Sequence, residues 1–136
     1  MGNAVVRALS SEATVNISVN IFLSLEGRWP KANLYAQFCY DILYDILPDE
    51  DRDVFVDIKL THHADQQAAG YCRGDEDEVY IQIARNSCDI AYTHDELARN
   101  LAHELVHAYQ FITNSPKLES EAYGKENILV EKYWAK

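Results

Sequence analysis

Residues 101–110 read LAHELVHAYQ, with His103 and His107 four apart and Glu104 directly after the first. On a helix the two imidazoles project from one face, about 6 Å apart along the axis and about 40° apart around it. Both can then reach a single zinc ion at the usual ~2.0–2.1 Å. Glu104 is turned off that row, so it is a poor ligand. It is well placed to take a proton from a water that the ion polarises, because bound zinc lowers the pKa of such a water toward ~7. Two ligands and a general base thus come from one turn. The competing reading is an ordinary amphipathic helix carrying two solvated histidines, so the setting of the pattern matters.

That setting favours chemistry. Thr93 and Glu96 in YTHDELARN form a capping-box pattern, which predicts a helix over about 94–112. On its wheel Leu97, Leu101, Leu105, Ala108 and Ile112 make a core-facing arc. His103 and His107 fall on a different arc with Asn100 and Phe111, and Glu104 lies between the two. TNSPK stops the helix. Ser115 and Pro116 predict the N-cap and first position of a last helix over about 117–134.

A catalytic zinc needs a third protein ligand and an open position. No histidine follows His107. The last helix offers Glu119, Glu121 and Glu126, all flanking an apolar arc of Leu118, Ala122, Leu129 and Tyr133. Periodicity does not choose among them.

HELVH followed by a second helix bearing Glu-x-Glu-Ala resembles the gluzincins, especially the minimal ones (minigluzincins). In that family the third ligand is a Glu one helix downstream, often directly before Ala, as in the thermolysin-like enzymes. The resemblance therefore implies Zn2+ held by His103, His107 and Glu121, with Glu104 as general base and acid and Glu119 as the fallback ligand. Ala122 and Gly124 are small enough to let the last helix lie close to the HELVH helix. Upstream, AAGYC, EVYIQIAR and DELARNLAHELVH are similar to the sheet and active helix of SprT-like and phage-antirepressor-type metallopeptidases. That similarity covers about residues 53–134. It implies one helix, a small sheet and two metal helices, with EVYIQIAR as the edge strand that pairs with an extended substrate. Strand addition suits proteolysis, because an extended chain exposes its scissile carbonyl. Two departures stand out. The third His of SprT-like proteins is absent, and the acidic residue that thermolysin-like enzymes carry four after the ligand Glu is replaced by Lys125. Glu126 is the candidate to orient a zinc histidine instead.

The remaining chain supplies the scaffold. Residues 13–23, ATVNISVNIFL, alternate as a half-buried strand, and EGRWP breaks the pattern. Leu34, Phe38, Ile42 and Ile46 predict a helix over 31–47, ended by Pro48. Val54, Val56, Ile58 and Leu60 predict a strand over 53–61. AGYC and EVYIQIA read as two more strands around an acidic connection, RGDED. Strands and helices are segregated, so the expected class is α+β, a minimal zincin-like fold with a small mixed or antiparallel sheet. One domain spans residues 1–136. Residues 1–29 precede the region of resemblance and read as an added strand, with a regulatory pro-segment over the cleft as the alternative.

Composition sets the outer bounds. Apolar residues make up 48% of 136, enough for one core. Cys39, Cys72 and Cys88 form no CxxC pair, which points away from zinc ribbons and disulfide frameworks and toward a reducing compartment. Cys72 reads as a free strand thiol, with a zinc-blocking cysteine switch as the alternative. MGNAVVRALS has no long apolar run and misses the myristoylation pattern, and no stretch is long enough to span a bilayer. A soluble, cytoplasmic protein is expected. Asn16-Ile17-Ser18 is a chance sequon in that setting. The net charge of −10 argues against direct nucleic-acid binding. It serves solubility first and a cationic partner second. Tyr123, His62, His63, Tyr80 and Tyr109 are the candidates to stabilise an oxyanion. His62-His63 reads as a solvated pair rather than a second metal site.

The expected activity is zinc-dependent hydrolysis of a peptide bond in an extended protein or peptide substrate. The rival readings are a zinc amide hydrolase acting on a non-protein polymer, and an inactive zincin fold serving as an acidic interaction module.

Overall fold

The computed structural model describes residues 18–62 and 68–134. Its order is β1 (Asn20–Glu26), α1 (Ala32–Ile46), β2 (Asp53–Thr61), β3 (Gly70–Gly74), β4 (Glu78–Ala84), a short hairpin of β5 (Asn86–Ser87) and β6 (Ile90–Ala91), α2 (His94–Ile112) and α3 (Glu119–Tyr133). The class is α+β with a mixed sheet, as the segregated pattern implies.

β1 begins later than the alternation suggested and runs on to Glu26; residues 13–17 of the expected strand lie outside the described residues. Gly27 then turns the chain at φ 98°, and a Cβ there would sit 2.5 Å from the Leu60 carbonyl oxygen. β2 buries Val54, Val56, Ile58 and Leu60 and exposes the residues between them, the signature of a strand with one face on the core. β1 pairs parallel to β2, and β2 parallel to β4. α1 is the crossover between β1 and β2, and its Phe38, Ile42 and Leu43 pack into the core.

The strand order is β1-β2-β4-β3. This corrects the expectation that EVYIQIAR forms the edge. β4 is enclosed between β2 and β3, so its backbone groups are already paired on both sides. The edge beside the HELVH helix is β3, folded back antiparallel on β4 with Gly70 opposite Ile83 and Cys72 opposite Ile81. The tight acidic turn explains the reversal. Asp75 Oδ1 accepts from the amides of Asp77 and Glu78 at 2.9 Å each, and Gly74 takes φ 158°.

α2 has the expected bounds and cap. Thr93 Oγ1 accepts from the Glu96 amide at 3.1 Å, and Glu96 Oε1 accepts from the Thr93 amide at 2.8 Å. Leu97, Leu101, Leu105, Ala108 and Ile112 are all buried. α3 departs from expectation: it starts at Glu119, its N-cap is Leu118, and no side chain caps it. Ser115 is engaged elsewhere. Its amide donates to the Gln110 carbonyl at 2.7 Å and its hydroxyl meets Thr113 Oγ1 at 2.6 Å, closing the end of α2. Ala122 is fully buried against the core, whereas Gly124 faces open space and does not serve close packing.

An aromatic cluster pins the far end of the helix pair. Trp134 packs tilted against Tyr35 at 4.9 Å between ring centroids and meets Phe38 edge-on at 5.1 Å, while its indole N–H donates to Asp95 at 3.0 Å. Tyr35 hydroxyl pairs with His94 Nδ1 at 2.6 Å. The end of α3 is thereby tied to the start of α2. The two helices run antiparallel, and the start of α3 falls beside His103 and His107.

Candidate metal centre

His103, His107 and Glu119 offer ligand atoms that all lie within 4.8 Å of one another. Glu119 Oε1 sits 2.9 Å from His103 Nε2 and 3.2 Å from His107 Nε2. Both histidine side chains are mostly buried, at 13% and 12% exposure, whereas Glu119 is 66% exposed and closes the group from the solvent side.

The proton positions follow from the partners. His103 Nδ1 lies 2.8 Å from Glu126 Oε1. An ionised carboxylate only accepts, so Nδ1 carries the proton; Nε2, 2.9 Å from Glu119 Oε1, donates to that carboxylate in a doubly protonated ring and keeps its lone pair in a neutral one. His107 Nδ1 lies 2.7 Å from Gln110 Oε1. The Gln110 amide is itself oriented, because its Nε2 donates to the Leu118 carbonyl at 3.0 Å and to Glu121 Oε1 at 2.8 Å. Gln110 Oε1 must therefore accept, and a neutral His107 also presents a bare Nε2. With both rings neutral, the two Nε2 atoms and a Glu119 carboxylate oxygen present three lone pairs to one point, a set that a cation would bridge. His107 Nε2 is buried and, although 3.2 Å from Glu119 Oε1, makes no hydrogen bond of good geometry among the described residues, which is where a metal would bind it. Two imidazole nitrogens and one carboxylate oxygen are a donor set that suits a first-row divalent ion.

Glu121 is not in this group. It accepts from Gln110 and pairs with Lys125 Nζ at 2.9 Å, and these contacts hold its carboxyl below the usual range. Its carboxylate lies behind His107, outside the clustered ligand atoms. The fallback, Glu119, meets the histidines, and Glu126 takes the orienting part considered for it. A signal for this was present. Glu119 and Glu126 are seven apart and share a helix row within about 20°, while Glu121 lies about 160° round from Glu119. Gln110, three after His107 on the same face, was missed.

Glu104 is 7% exposed. Burial pushes its carboxyl up to about 7, opposed by His107 and reinforced by Glu119. It lies in the wall of a cleft with two lobes. One, of about 380 Å³, is lined by Gly70, Asn100, His103, Glu104, Glu119 and Tyr123 among others. The second, of about 220 Å³, includes Cys72, His107, Phe111 and Lys117, with Gly70, Glu104 and Glu119 common to both. β3 forms one bank. Gly70 is required there, because a Cβ would sit 2.8 Å from the Gln82 carbonyl oxygen and 3.3 Å from Glu104 Cγ.

The other candidates divide. Tyr123 meets the His103 ring edge-on at 4.6 Å and reaches the cleft. Tyr80 lies under Arg73, 5.1 Å from its guanidinium carbon, and packs against Tyr71. Tyr109 faces Lys125 Nζ at 5.5 Å. His62 pairs with Asn86 at 2.8 Å, and His63 lies outside the described residues. Cys72 lines the smaller lobe, but its sulfur is not among the clustered ligand atoms. No described helix is long and apolar enough to cross a membrane. Comparison with protein-family models, curated proteins and solved structures gives no match, so the reading of this site stands on its geometry.

Proposed function

We propose that this protein is a zinc-dependent peptidase of gluzincin type that hydrolyses an extended polypeptide segment, with His103, His107 and Glu119 as ligands and Glu104 as general base. The observation that supports this reading is the convergence of His103 Nε2, His107 Nε2 and a Glu119 carboxylate oxygen, with both Nδ1 atoms held from outside by Glu126 and Gln110. When bound, zinc supplies Lewis acidity and a polarised water. Glu104, buried beside the ligand row, is suited to accept a proton at neutral pH and return it to a leaving amine, since a base works best with a pKa near the working pH. Among the described strands β3 is the outer one on the cleft side, and an extended chain adding beside it would lie along the cleft. Tyr123 is the nearest candidate to stabilise developing negative charge, through its hydroxyl.

Elemental analysis of the purified chain tests the ligand set. About one zinc per chain is expected in wild type and in Glu121→Ala and Glu104→Gln, with loss in Glu119→Ala. Digestion of an unfolded polypeptide, followed by mass spectrometry, tests the reaction, and Glu104→Gln should abolish it while zinc is retained. Wild-type protein that takes up no zinc would overturn the site. Zinc bound with equal cleavage in Glu104→Gln would overturn the mechanism.

A further inference from the structure

Asn100 occupies the histidine row one turn before His103 and lines the larger lobe of the cleft. Its side-chain Nδ2 is buried and has no hydrogen-bond partner among the described residues. A buried amide donor left unmade is costly, and native structures rarely keep one without a use. The neighbours on α2 explain why nothing internal satisfies it: His103 donates to Glu126, and Arg99 lies 3.7 Å from Glu126 Oε2. The lobe beside it is large enough to admit main chain.

We infer that Asn100 is a substrate-binding residue whose Nδ2, closed to water in the empty cleft, turns into the lobe to donate to a backbone amide carbonyl of the bound chain, next to the bond that reacts. This deepens the peptidase reading and rests on it. Asn100 precedes His103 by three residues and Glu104 by four, so its amide is offset by about 4.5–6 Å along the α2 axis. An extended chain advances about 3.3 Å per residue, which places the accepting carbonyl one or two residues from the scissile bond. The amide donor would accept either a carbonyl or a carboxylate as its partner, so the selection for a neutral carbonyl comes from the charges around it. Three carboxylates, those of Glu104, Glu119 and Glu126, line the same lobe and would repel a fourth.

The test compares small chelators on the zinc-loaded full chain. Acetohydroxamate grips the ion and reaches no further. N-acetylglycine hydroxamate and the monoamide of succinic hydroxamate each add one amide carbonyl on the acyl side of the chelating group, with the amide running in opposite directions. At least one of these should bind wild type more tightly than acetohydroxamate. Asn100→Ala should remove that advantage by roughly three- to tenfold, with zinc content and acetohydroxamate affinity unchanged. In wild type the Asn100 side-chain amide protons should move downfield with the amide probe and stay put with acetohydroxamate; this readout does not depend on how the variant folds. An advantage that survives Asn100→Ala, or that never arises, or amide protons that do not move, would overturn the inference. Failure of acetohydroxamate itself to bind would instead sink the metal reading, and this inference with it.

Discussion

Replacing Gln110 by Leu isolates how the fold prepares a metal ligand. Gln110 is fully buried, and its amide makes three contacts: it accepts from His107 Nδ1 at 2.7 Å and donates to Leu118 O at 3.0 Å and Glu121 Oε1 at 2.8 Å. Leu fills similar space with no polar atom. Glu121 keeps Lys125 as a partner, so the main cost falls on the His107 Nδ1–H, left mostly buried and unpaired. That costs about 1–3 kcal/mol, with up to about 1 kcal/mol more from the other two contacts. At roughly 3–4 °C per kcal/mol for a domain of this size, the apo protein should lose about 3–16 °C in Tm. The ring also loses its tautomer lock. Removing an outer partner of a ligating histidine typically weakens metal affinity about 10- to 100-fold. Competition against a fluorescent zinc chelator measures this, and scanning calorimetry measures the Tm. Gln110→Glu is the control. It keeps an acceptor for His107 but sets a carboxylate against Glu121, so it should cost stability while keeping zinc affinity within a few-fold of wild type. Unchanged zinc affinity in Gln110→Leu, or equal loss in Gln110→Glu, would refute the claim that Gln110 orients His107.

Two further substitutions test the frame around the site. Gly70→Ala places a Cβ against the Gln82 carbonyl and Glu104; overpacking should destabilise by about 1–3 kcal/mol and narrow the cleft, read as a lower Tm and weaker acetohydroxamate binding at undiminished zinc content. Thr93→Ala removes half of the capping box. It should cost about 1 kcal/mol in thermal unfolding and leave zinc stoichiometry untouched, because the ligands lie three turns along α2.

Much of the scaffold was legible because its signals are local. The capping residues, the apolar arc and the two histidines of α2 lie within 20 residues of one another, and helical geometry alone relates them. The alternation of β2 likewise reports which face is buried. What the sequence by itself determined is therefore the pair His103 and His107, the adjacent Glu104, and the elements that carry them. The third ligand is a different kind of question. Glu119 and Glu121 both flank the apolar arc of α3, and their direction about that axis says nothing of how far α3 slides along α2. That offset is decided by contacts distant in sequence: Trp134 on Asp95, Tyr35 and Phe38, and Gln110 on Leu118 and Glu121. Only with it in place does Glu119 face the histidines while Glu121 backs Gln110. The same holds for the sheet edge. EVYIQIA and AGYC each read as a strand, but which one is outermost depends on β2 taking one side of β4 and β3 folding back onto the other. Which glutamate meets the histidines and which strand borders the cleft were decided by tertiary packing, because each depends on the relative placement of two elements and a one-dimensional period describes only one.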